Sequence, residues 1–222
     1  MNVLVACEES QAVCMAFRDK GHNAYSCDIK KCSGGGSQYH ILMDALMVVN
    51  GGILRLQNGQ KIEIPRWDLI IAHPPCTYLS HVATRAHSLK MTPVNWINGR
   101  THSRIQAMDF FMRMIEADCD KIAVENPIGI MNSAYRKPDQ IIHPYYFAES
   151  VDDKDNYHMK ATCLWLKGLP LLERTSFLPE AKINEFYGGK GKRKTWEDTR
   201  QGSCERSKTF PGIAKAMAEQ WG

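Results

Sequence analysis

A short apolar run that ends in two prolines is the feature that most constrains what this chain can fold into. Residues 67–72 read Trp-Asp-Leu-Ile-Ile-Ala, and His73, Pro74, Pro75 and Cys76 follow directly. Because proline has no N–H for a ladder and a fixed φ, this pattern predicts a buried strand that stops abruptly. Cys76 then lies at the carboxyl end of a central strand, where open α/β sheets bind ligands. A cysteine held there by a stiff loop is a candidate nucleophile, or else an ordinary buried thiol.

A second apolar run carries a carboxylate to the same edge. Residues 121–127 read Lys-Ile-Ala-Val-Glu-Asn-Pro, which predicts a short strand followed at once by Glu125 and Asn126. Sequential strands of α/β folds are often neighbours, so Glu125 is expected beside Cys76. A thiol and a proton-carrying carboxyl group on one ligand are what attack on a weakly electrophilic ring requires. Taken alone, a glutamate that closes a strand is more often a helix cap or a surface residue than a catalytic group.

Strand and helix patterns alternate along the chain, which predicts an α/β fold with a doubly wound, mostly parallel sheet. Asn58-Gly59 between two alternating runs predicts a hairpin over residues 51–65, and Gly21 is expected to end the first helix. Strands are expected at 3–7, 24–28, 39–43, 67–72, 121–125 and 162–166, and helices at 10–20, 44–49, 103–117 and 211–221.

Two of these helices have apolar faces that predict how they pack. In the first helix Ala12, Ala16 and Phe17 share one face. The longer helix at 103–117 has a stripe of methionine and phenylalanine that we interpret as core rather than as a cofactor site. Its core face is expected to consist of Ile105, Met108, Phe111, Met112 and Ile115.

Length and composition are those of an ordinary soluble globular protein. The chain has 222 residues, of which 44% are hydrophobic and 23% charged, enough for a single domain or one domain with a small appendage. No run approaches the roughly 18 apolar residues of a membrane helix, and the N-terminus leads into a strand without a signal core. We therefore expect a cytoplasmic protein that has no membrane contact.

The cysteines and histidines lack the spacing of a metal site. Eight cysteines are present, but Cys27 and Cys32, with four residues between them, have no partner pair. The cysteine density is also below that of a disulfide scaffold. The histidines between residues 73 and 102 match no ligand motif. We expect reduced thiols and no bound metal.

Positive charge is concentrated near the carboxyl end. Residues 182–208 contain eight Lys or Arg and four acids, whereas the rest of the chain has 20 of each sign. Within this segment, residues 188–196 form a glycine-rich basic loop that we expect to be mobile and to bind nucleic acid, unless it is simply a solvated surface. The predicted phosphate contacts are Lys190, Lys192, Arg193 and Lys194, and the predicted stacking residue is Trp196.

The order of these motifs resembles that of the C5-cytosine DNA methyltransferase family. Pro74-Pro75-Cys76 with Ser80 matches the Pro-Cys loop of the family, and Glu125-Asn126 matches its Glu-Asn pair. Residues 3–7 resemble its first strand, and 208–217 resemble its closing motif, whose helix packs back on the cofactor domain. Asp28 and Asp44 resemble the acids after its second and third strands. The chain is similar to a small, truncated member, of the stand-alone kind that phages carry.

The resemblance implies a Rossmann-like fold of the S-adenosylmethionine-dependent methyltransferase type, with a reduced recognition region. It implies an enzyme that methylates C5 of cytosine in DNA. Cys76 would add to C6 of the ring, Glu125 would hold or protonate N3, and Asn126 would fix the Pro-Cys loop. The implied contacts to the donor, S-adenosylmethionine, are Cys7, Glu8, Ser10, Asp28, Ile29, Asp44, Ala45 and Pro74, and those to DNA are Ser80, Lys160 and the basic loop.

Three parts of the chain follow from the same resemblance. A catalytic and cofactor-binding domain is expected over 1–175, a short basic recognition segment over 176–207, and a helix over 208–222 that packs on the first part. Only about 45 residues separate the strand at 162–166 from the closing motif, which is too few for a full recognition domain. Loose or short-site specificity is therefore expected.

Three positions depart from the family pattern in ways that bear on the site. The turn at 7–10 reads Cys-Glu-Glu-Ser and has no glycine, so Glu8 and Glu9 either form a different turn or contact the amino group of the donor. Thr77 stands where glutamine is usual. Lys160 is what remains of an Arg-rich motif, and it is a candidate partner for the carbonyl oxygen of the base.

Two other functions fit the sequence. His73-Pro-Pro-Cys76 also resembles the Pro-Pro-aromatic loop of amino-methyltransferases that act on adenine or cytosine. In that case Cys76 is dispensable and His73 contacts the amino group, although Tyr78 lies too far along to replace the aromatic residue. The missing glycines favour instead a non-catalytic nucleic-acid-binding protein that keeps the fold without the donor site. A monomer and a dimer fit the sequence equally.

Overall fold

Strands and helices alternate along the chain as the sequence predicts. The computed structural model describes residues 1–81, 83, 94–181, 186–188, 192–194 and 207–222, with only the backbone for 94–98, 186–188 and 192–194. The strands are β1 (Asn2–Ala6), β2 (Asn23–Asp28), β3 (His40–Leu42), β4 (Gly52–Arg55), β5 (Lys61–Ile64), β6 (Leu69–Ala72), β7 (Ile122–Pro127), β8 (Gln140–Ile142), β9 (Thr162–Lys167), β10 (Phe186–Gly188) and β11 (Lys192–Lys194). The α-helices are α1 (Ala12–Asp19), α2 (Ala45–Val48), α3 (Val94–Ile115), α4 (Met131–Ala134) and α5 (Pro211–Gln220), and the 3₁₀ helices are η1 (Ser37–Tyr39), η2 (Cys76–Tyr78) and η3 (Pro144–Phe147).

Seven strands form one sheet in the order β3-β2-β1-β6-β7-β9-β8. The first five run parallel to one another, and β9 is antiparallel to both β7 and β8. The predicted α/β fold with a mostly parallel sheet is confirmed, and it is compatible with a Rossmann-like fold. From β1 the chain runs to one edge and then returns to β6 on the other side of β1. Sheets of this kind bind ligands at that switch point, between the carboxyl ends of β1 and β6.

The core has two layers, one on each face of the sheet. Successive strand residues point to opposite faces, so Leu4 packs with α2, α3 and the β4–β5 hairpin. Val3 and Val5 pack with α1 and α5 on the other face. β6 is buried along its whole length, as its apolar run predicts. The closing helix α5 thus packs back beside α1, while the division of the chain into three parts stays a prediction.

The hairpin predicted over 51–65 is confirmed, with β4 and β5 antiparallel around the Asn58-Gly59 turn. Gly59 has φ 93°, a left-handed conformation that glycine adopts without a steric penalty. Gly21 after α1 has φ 84° for the same reason. Both turns were predicted correctly, because a glycine that adopts φ > 0 at a turn can be recognised from the residues next to it.

The predicted buried face of α1 is wrong in part. Val13, Cys14 and Phe17 are the buried residues of this helix, whereas Ala12 and Ala16 are only half buried. The difference arises because α1 packs against both the sheet and α5, so its buried face is turned from the stripe that the sequence suggests.

The helix α3 also differs from the prediction, since it begins at Val94 rather than near residue 103. Ile105, which was expected in the core, is 60% exposed. The face that meets the sheet is set by Phe111, Met114 and Ile115, and Ile105 points away from it. Neither α3 nor any other helix in the described ranges is long and apolar enough to cross a membrane.

β7 continues to Pro127, past the predicted end at residue 125. Its antiparallel partner β9 extends the ladder, with Glu125 opposite Leu164 and Asn126 opposite Cys163. Glu125 and Asn126 are therefore held by the sheet itself rather than by a loop after it. A partner strand more than 30 residues downstream leaves no local signal, which is why the sequence did not show this.

The basic loop is described only in part. Lys192, Arg193 and Lys194 form β11, which pairs with β10 in an antiparallel hairpin, so these three residues belong to a strand rather than to a loop. Their side chains, and the whole of Lys190 and Trp196, lie outside the described residues. The predicted mobility and phosphate contacts of the segment stay predictions.

Candidate active site

The Pro-Cys loop leaves β6 at the switch point and is held at both of its ends. The N–H of His73 donates to the carbonyl of Ala6 at 2.9 Å, which extends the pairing with β1 by one residue. Nδ2 of Asn126 donates to the carbonyl of Pro74 at 2.7 Å. This is the contact by which Asn126 was expected to fix the loop. Cys76 follows as the first residue of η2 and is exposed.

A second set of contacts joins the Cys76 loop to the segment after β7. Ser80 and Gly129 form an isolated β-bridge, and the N–H of Ile130 donates to the carbonyl of Leu79 at 2.8 Å. A side chain at Gly129 would clash with that same carbonyl group, so this position requires glycine. Ser80, the predicted DNA contact, is therefore part of the junction that fixes Cys76 relative to Glu125.

His73 and Glu125 form an ion pair at the carboxyl ends of adjacent strands. Nδ1 of His73 lies 3.0 Å from Oε2 of Glu125, and their side chains are only 8% and 22% exposed. Burial alone would lower the pKa of His73, but the hydrogen bond and charge of Glu125, with the charge of Glu8, raise it. Burial likewise opposes ionisation of Glu125, but His73 and Lys160 lower its pKa. Both shifts favour a proton on His73 and a charged carboxylate on Glu125.

Glu8 lies behind this pair and caps α1. Its Oε1 accepts the N–H of Val13 at 2.6 Å and its Oε2 accepts that of Cys14 at 3.1 Å, and the residue is only 4% exposed. Burial raises the pKa of Glu8, against the opposing charge of His73. Both carboxylate oxygens are thus turned into the helix terminus, where an acid is electrostatically favoured. The cap thus stabilises the turn at residues 7–10, which has no glycine. Because both carboxylate oxygens of Glu8 are bonded to the helix, the geometry does not support its predicted contact to the donor.

Two polar atoms of this cluster have no hydrogen-bond partner among the described residues. They are Nε2 of His73 and Oδ1 of Asn126, both buried. Buried polar atoms in folded proteins are nearly always paired, so an unpaired donor and acceptor at a ligand-binding edge favour a ligand that supplies the partners. Lys160 is near enough to act on the charges of both His73 and Glu125, and its Nζ lies 5.5 Å from the ring centroid of Phe210.

The ends of β1, β2 and β3 converge on the other side of the switch point. Burial, followed by the charges of Asp28, Cys27 and Asp44, raises the pKa of the Cys7 thiol, so both carboxylates lie near the end of β1. Oδ1 of Asp28 accepts the N–H of Lys30 at 2.9 Å, and Oδ1 of Asp44 accepts the N–H of Leu46 at 2.9 Å. Asp44 is in this way the N-cap of α2. Ile29, next to Asp28, is 74% exposed.

The other residues predicted to contact the donor differ in how deeply they are buried. Ser10 is half buried, whereas Ala45 and Pro74 are buried. Cys7 has φ 61° and Gln11 has φ 63°, so this turn adopts the left-handed conformation twice without glycine. Such strain in non-glycine residues clusters at functional sites.

Sequence reasoning missed Gln11, which fixes the turn from inside. Its Nε2 donates to the carbonyl of Gly36 at 2.9 Å and to Oγ of Ser26 at 3.2 Å, and its Oε1 accepts the N–H of Gly36 at 2.9 Å. Gly36 belongs to the run Gly34-Gly35-Gly36. A side chain at Gly34 would clash with the carbonyl of Ser10, so this glycine permits close approach of two loops, and that was the available signal.

Two arginines next to η2 were also missed. Nε of Arg104 donates to the carbonyl of Tyr78 at 3.0 Å, and the guanidinium carbon of Arg100 lies 5.3 Å from the centroid of the Tyr78 ring. Spaced four residues apart on α3, they share one face of the helix. The sequence signal was an Arg-x-x-x-Arg repeat in a helix that was interpreted only from its apolar stripe.

The seven cysteines in the described part of the chain are free thiols. In the same part, no group of three or more His, Cys, Asp or Glu is placed to hold a metal ion. No protein-family model matches the chain, and no curated protein matches it.

Proposed function

We propose that the protein transfers a methyl group from S-adenosylmethionine to C5 of cytosine in DNA, through a covalent adduct of the base with Cys76. The observation that carries this proposal is the pairing of two adjacent strand ends. An exposed Cys76 follows β6, Glu125 stands near the end of β7, and Asn126 is bonded to the loop between them. The arrangement brings a nucleophile and a carboxylate that is hydrogen-bonded to a histidine to one open edge.

The ends of β1, β2 and β3 fit S-adenosylmethionine. In the described residues no hydrogen bond reaches Oδ2 of Asp28, whose Oδ1 is held by the N–H of Lys30, so Oδ2 can accept from ribose hydroxyls. The exposed side chain of Ile29 offers an apolar surface to an adenine ring. Asp44 would accept from the adenine amino group. S-adenosylmethionine, when bound, supplies an electrophilic methyl group.

The chemistry assigned to Cys76 activates a ring that is otherwise a poor nucleophile at C5. The thiolate forms a bond to C6, and the electron pair of the C5–C6 double bond moves into the ring, so that C5 becomes nucleophilic. After methylation the proton on C5 is lost to a base. The electrons of that C–H bond restore the C5–C6 double bond, and the sulfur leaves C6 as thiolate.

Glu125 and His73 together manage the proton that this addition requires. In the resting state a proton on Nδ1 of His73 is hydrogen-bonded to Oε2 of Glu125, 3.0 Å away. As negative charge develops on the ring, that proton passes to N3 by way of Glu125, which leaves His73 neutral and Glu125 ionised against N3–H. The proton returns when the sulfur leaves. A buried pair is suited to this role because charge movement is strongly felt in a site that excludes water.

Trapping with a fluorinated base tests the covalent step. DNA that contains 5-fluorocytosine, incubated with the protein and S-adenosylmethionine, should give an adduct that survives denaturation, because fluorine cannot leave C5 as a proton does. Cys76→Ser should form no adduct and should not methylate DNA. The matched control is Cys32→Ser, which changes a half-buried cysteine outside the Cys76 loop and should behave as wild type.

Nucleoside mass spectrometry separates this proposal from the other two functions. The product should be 5-methylcytosine. An N-methylated adenine or cytosine, with full activity in Cys76→Ser, would show an amino-methyltransferase. A folded protein that binds DNA but not S-adenosylmethionine would be a binding protein without the donor site.

A further inference from the structure

The imidazole of His73 has one ring nitrogen that the fold uses and one that it does not. Nδ1 lies 3.0 Å from Oε2 of Glu125, whereas Nε2 is buried and has no hydrogen-bond partner among the described residues. The side chain is only 8% exposed, so bulk water does not easily take the place of a partner. A buried donor without an acceptor destabilises a fold, which favours a ligand that supplies the acceptor.

The position of His73 limits which ligand meets that nitrogen. Its backbone N–H is bonded to Ala6 at the end of β1, and its side chain to Glu125 in β7, so the residue stands between these two strand ends. The two nitrogens of an imidazole point in diverging directions, and Nε2 therefore points away from Glu125. A base held by Glu125 lies on the Nδ1 side of the ring. The acceptor for Nε2 then belongs to the other ligand of this edge, the methyl donor.

The charges around the ring favour an anionic acceptor. Burial and the charge of Lys160 lower the pKa of His73, but Glu125 and Glu8 raise it more, and the net shift is upward. A ring with a proton on each nitrogen can only donate, and its hydrogen bonds to anions are the stronger kind. Glu8 is not that anion, because its two oxygens are bonded to the start of α1. S-adenosylmethionine has a single anionic group, the carboxylate of its amino-acid end.

We propose that Nε2 of His73 binds the carboxylate of S-adenosylmethionine, so that His73 holds the methyl donor as well as pairing with Glu125. The inference rests on the proposed function, because it takes S-adenosylmethionine as the donor. With Asp28 proposed for the ribose, His73 holds the other end of the same molecule. Nε2 keeps its hydrogen throughout the proposed reaction, since the proton that passes to the base leaves from Nδ1. The carboxylate is therefore held before and after methyl transfer.

Calorimetry with two thioethers tests the site without any turnover. S-adenosylhomocysteine has the same amino-acid end as the donor, and S-adenosyl-3-thiopropylamine differs from it only by the loss of the carboxylate. The wild-type protein should bind S-adenosylhomocysteine more tightly by a factor on the order of 10 to 100, as expected for a hydrogen bond between charged groups. Equal affinities for the two compounds would overturn the inference.

Two substitutions at His73 separate its two nitrogens. His73→Asn keeps a side-chain donor near the position of Nδ1 and has none at Nε2, so it should bind both compounds with similar affinity. His73→Gln brings an amide donor near the position of Nε2 and should keep part of the preference for the carboxylate. The matched control is His102→Asn, an exposed histidine of α3, which should keep the full preference. Full preference in His73→Asn would mean that Nε2 does not meet the carboxylate, and would overturn the inference.

A measurement on the unmodified protein covers the case in which a variant does not fold. The groups whose charges act on His73 are Glu125, Glu8 and Lys160, and they are the same in both complexes. Bound S-adenosylhomocysteine should therefore raise the pKa of His73 in an NMR titration above the value found with S-adenosyl-3-thiopropylamine. The same pKa in both complexes would show that the carboxylate binds elsewhere.

The two proposals fail in different ways. Equal binding of the two thioethers, with a normal 5-fluorocytosine adduct, would overturn the role of Nε2 and leave the methyltransferase intact. The expected preference and pKa change without any adduct would keep the carboxylate site and overturn the covalent mechanism. A folded wild-type protein that binds neither compound would overturn the donor site and this inference with it.

Discussion

The two halves of the carboxyl edge use acidic residues in opposite ways. In the half proposed to bind the donor (the donor half), formed by the ends of β1, β2 and β3, Glu8, Asp28 and Asp44 all accept backbone N–H groups. In the half proposed to bind the base (the base half), formed by the ends of β6 and β7, Glu125 is bonded instead to the side chain of His73. A carboxylate bonded to backbone amides fixes a turn. A carboxylate paired with an imidazole can exchange a proton with its partner, which is the property that chemistry needs.

The largest effect that this comparison predicts is the loss of stability in Glu8→Ala. Removal of the carboxylate leaves the N–H groups of Val13 and Cys14 buried without partners and deletes the cap of α1. We expect a loss of about 3 kcal/mol in the free energy of unfolding, since each unpaired buried donor costs about 1–3 kcal/mol and a lost cap about 1 kcal/mol. Glu116→Ala, at an exposed position after α3, is the control. If Glu8→Ala unfolds at the same urea concentration as the wild type, Glu8 has no capping role.

Asp28→Ala should have a smaller effect, and on binding rather than on stability. Its turn is exposed, so the lost hydrogen bond to Lys30 costs little. If Oδ2 accepts from the donor, the affinity for S-adenosylmethionine should fall by a factor on the order of 10 to 100, as expected for the loss of a charged hydrogen bond. Calorimetry measures this, with Asp109→Ala on the exposed face of α3 as the control. Equal affinity in wild type and Asp28→Ala would move the donor elsewhere on the edge.

The parts of the fold that the sequence predicted are those with a local signature. The buried strand β6, the hairpin at Asn58-Gly59 and the stop at Gly21 each follow from residues next to one another. The extension of β7, the reversed direction of β9 and the buried face of α1 depend on partners far along the chain. Those partners leave no trace in the segment itself, so they could not be predicted from it.

The same division applies to the site. Cys76, Glu125 and Asn126 stand out because each follows a strand pattern, and the sheet brings them together. The ion pair of His73 with Glu125 depends on both side chains pointing to the same face of two neighbouring strands, and on Glu8 behind them. The available signal was the position of His73, which directly precedes two prolines and ends the strand next to the one that carries Glu125. It becomes interpretable only when the strand register is known.

Histidine titration by NMR examines the base half directly and needs no substrate. The pKa of His73 should lie above its ordinary value of 6.5, because Glu125 and Glu8 outweigh the effect of burial. Burial should instead hold the pKa of His40 and of His143 below 6.5, which makes these two residues internal controls. Glu125→Gln should lower the pKa of His73 and leave the controls unchanged. If His73 instead titrates at the same pH as the two controls, the proton is not held between His73 and Glu125, and the proposed proton transfer is wrong.

The same pair predicts the direction of a pH effect on stability. A pKa raised on folding stabilises the protein below the unfolded value of 6.5, and this contribution is lost as the pH rises through the folded pKa of His73. The lowered pKa of Glu125 acts in the opposite sense, and its contribution is lost as the pH falls below 4.5. Glu125→Gln should therefore flatten the loss of stability above neutral pH relative to wild type, as urea unfolding at several pH values would show.

The smallest predicted effect distinguishes strain from anchoring in the turn without glycine. Cys7 and Gln11 both have φ near 60°, so glycine at either position relieves a cost of about 1 kcal/mol or more. At Cys7 that gain is offset by the greater freedom of glycine in the unfolded chain, and we expect a change within about 1 kcal/mol of wild type. At Gln11 the same substitution removes three hydrogen bonds to Ser26 and Gly36, so Gln11→Gly should be destabilised despite the relief of strain.

If urea unfolding gives equal stabilities for the two variants, the turn is held by its backbone conformation alone. If Cys7→Gly is the less stable of the two, the Cys7 side chain, rather than Gln11, anchors the donor half.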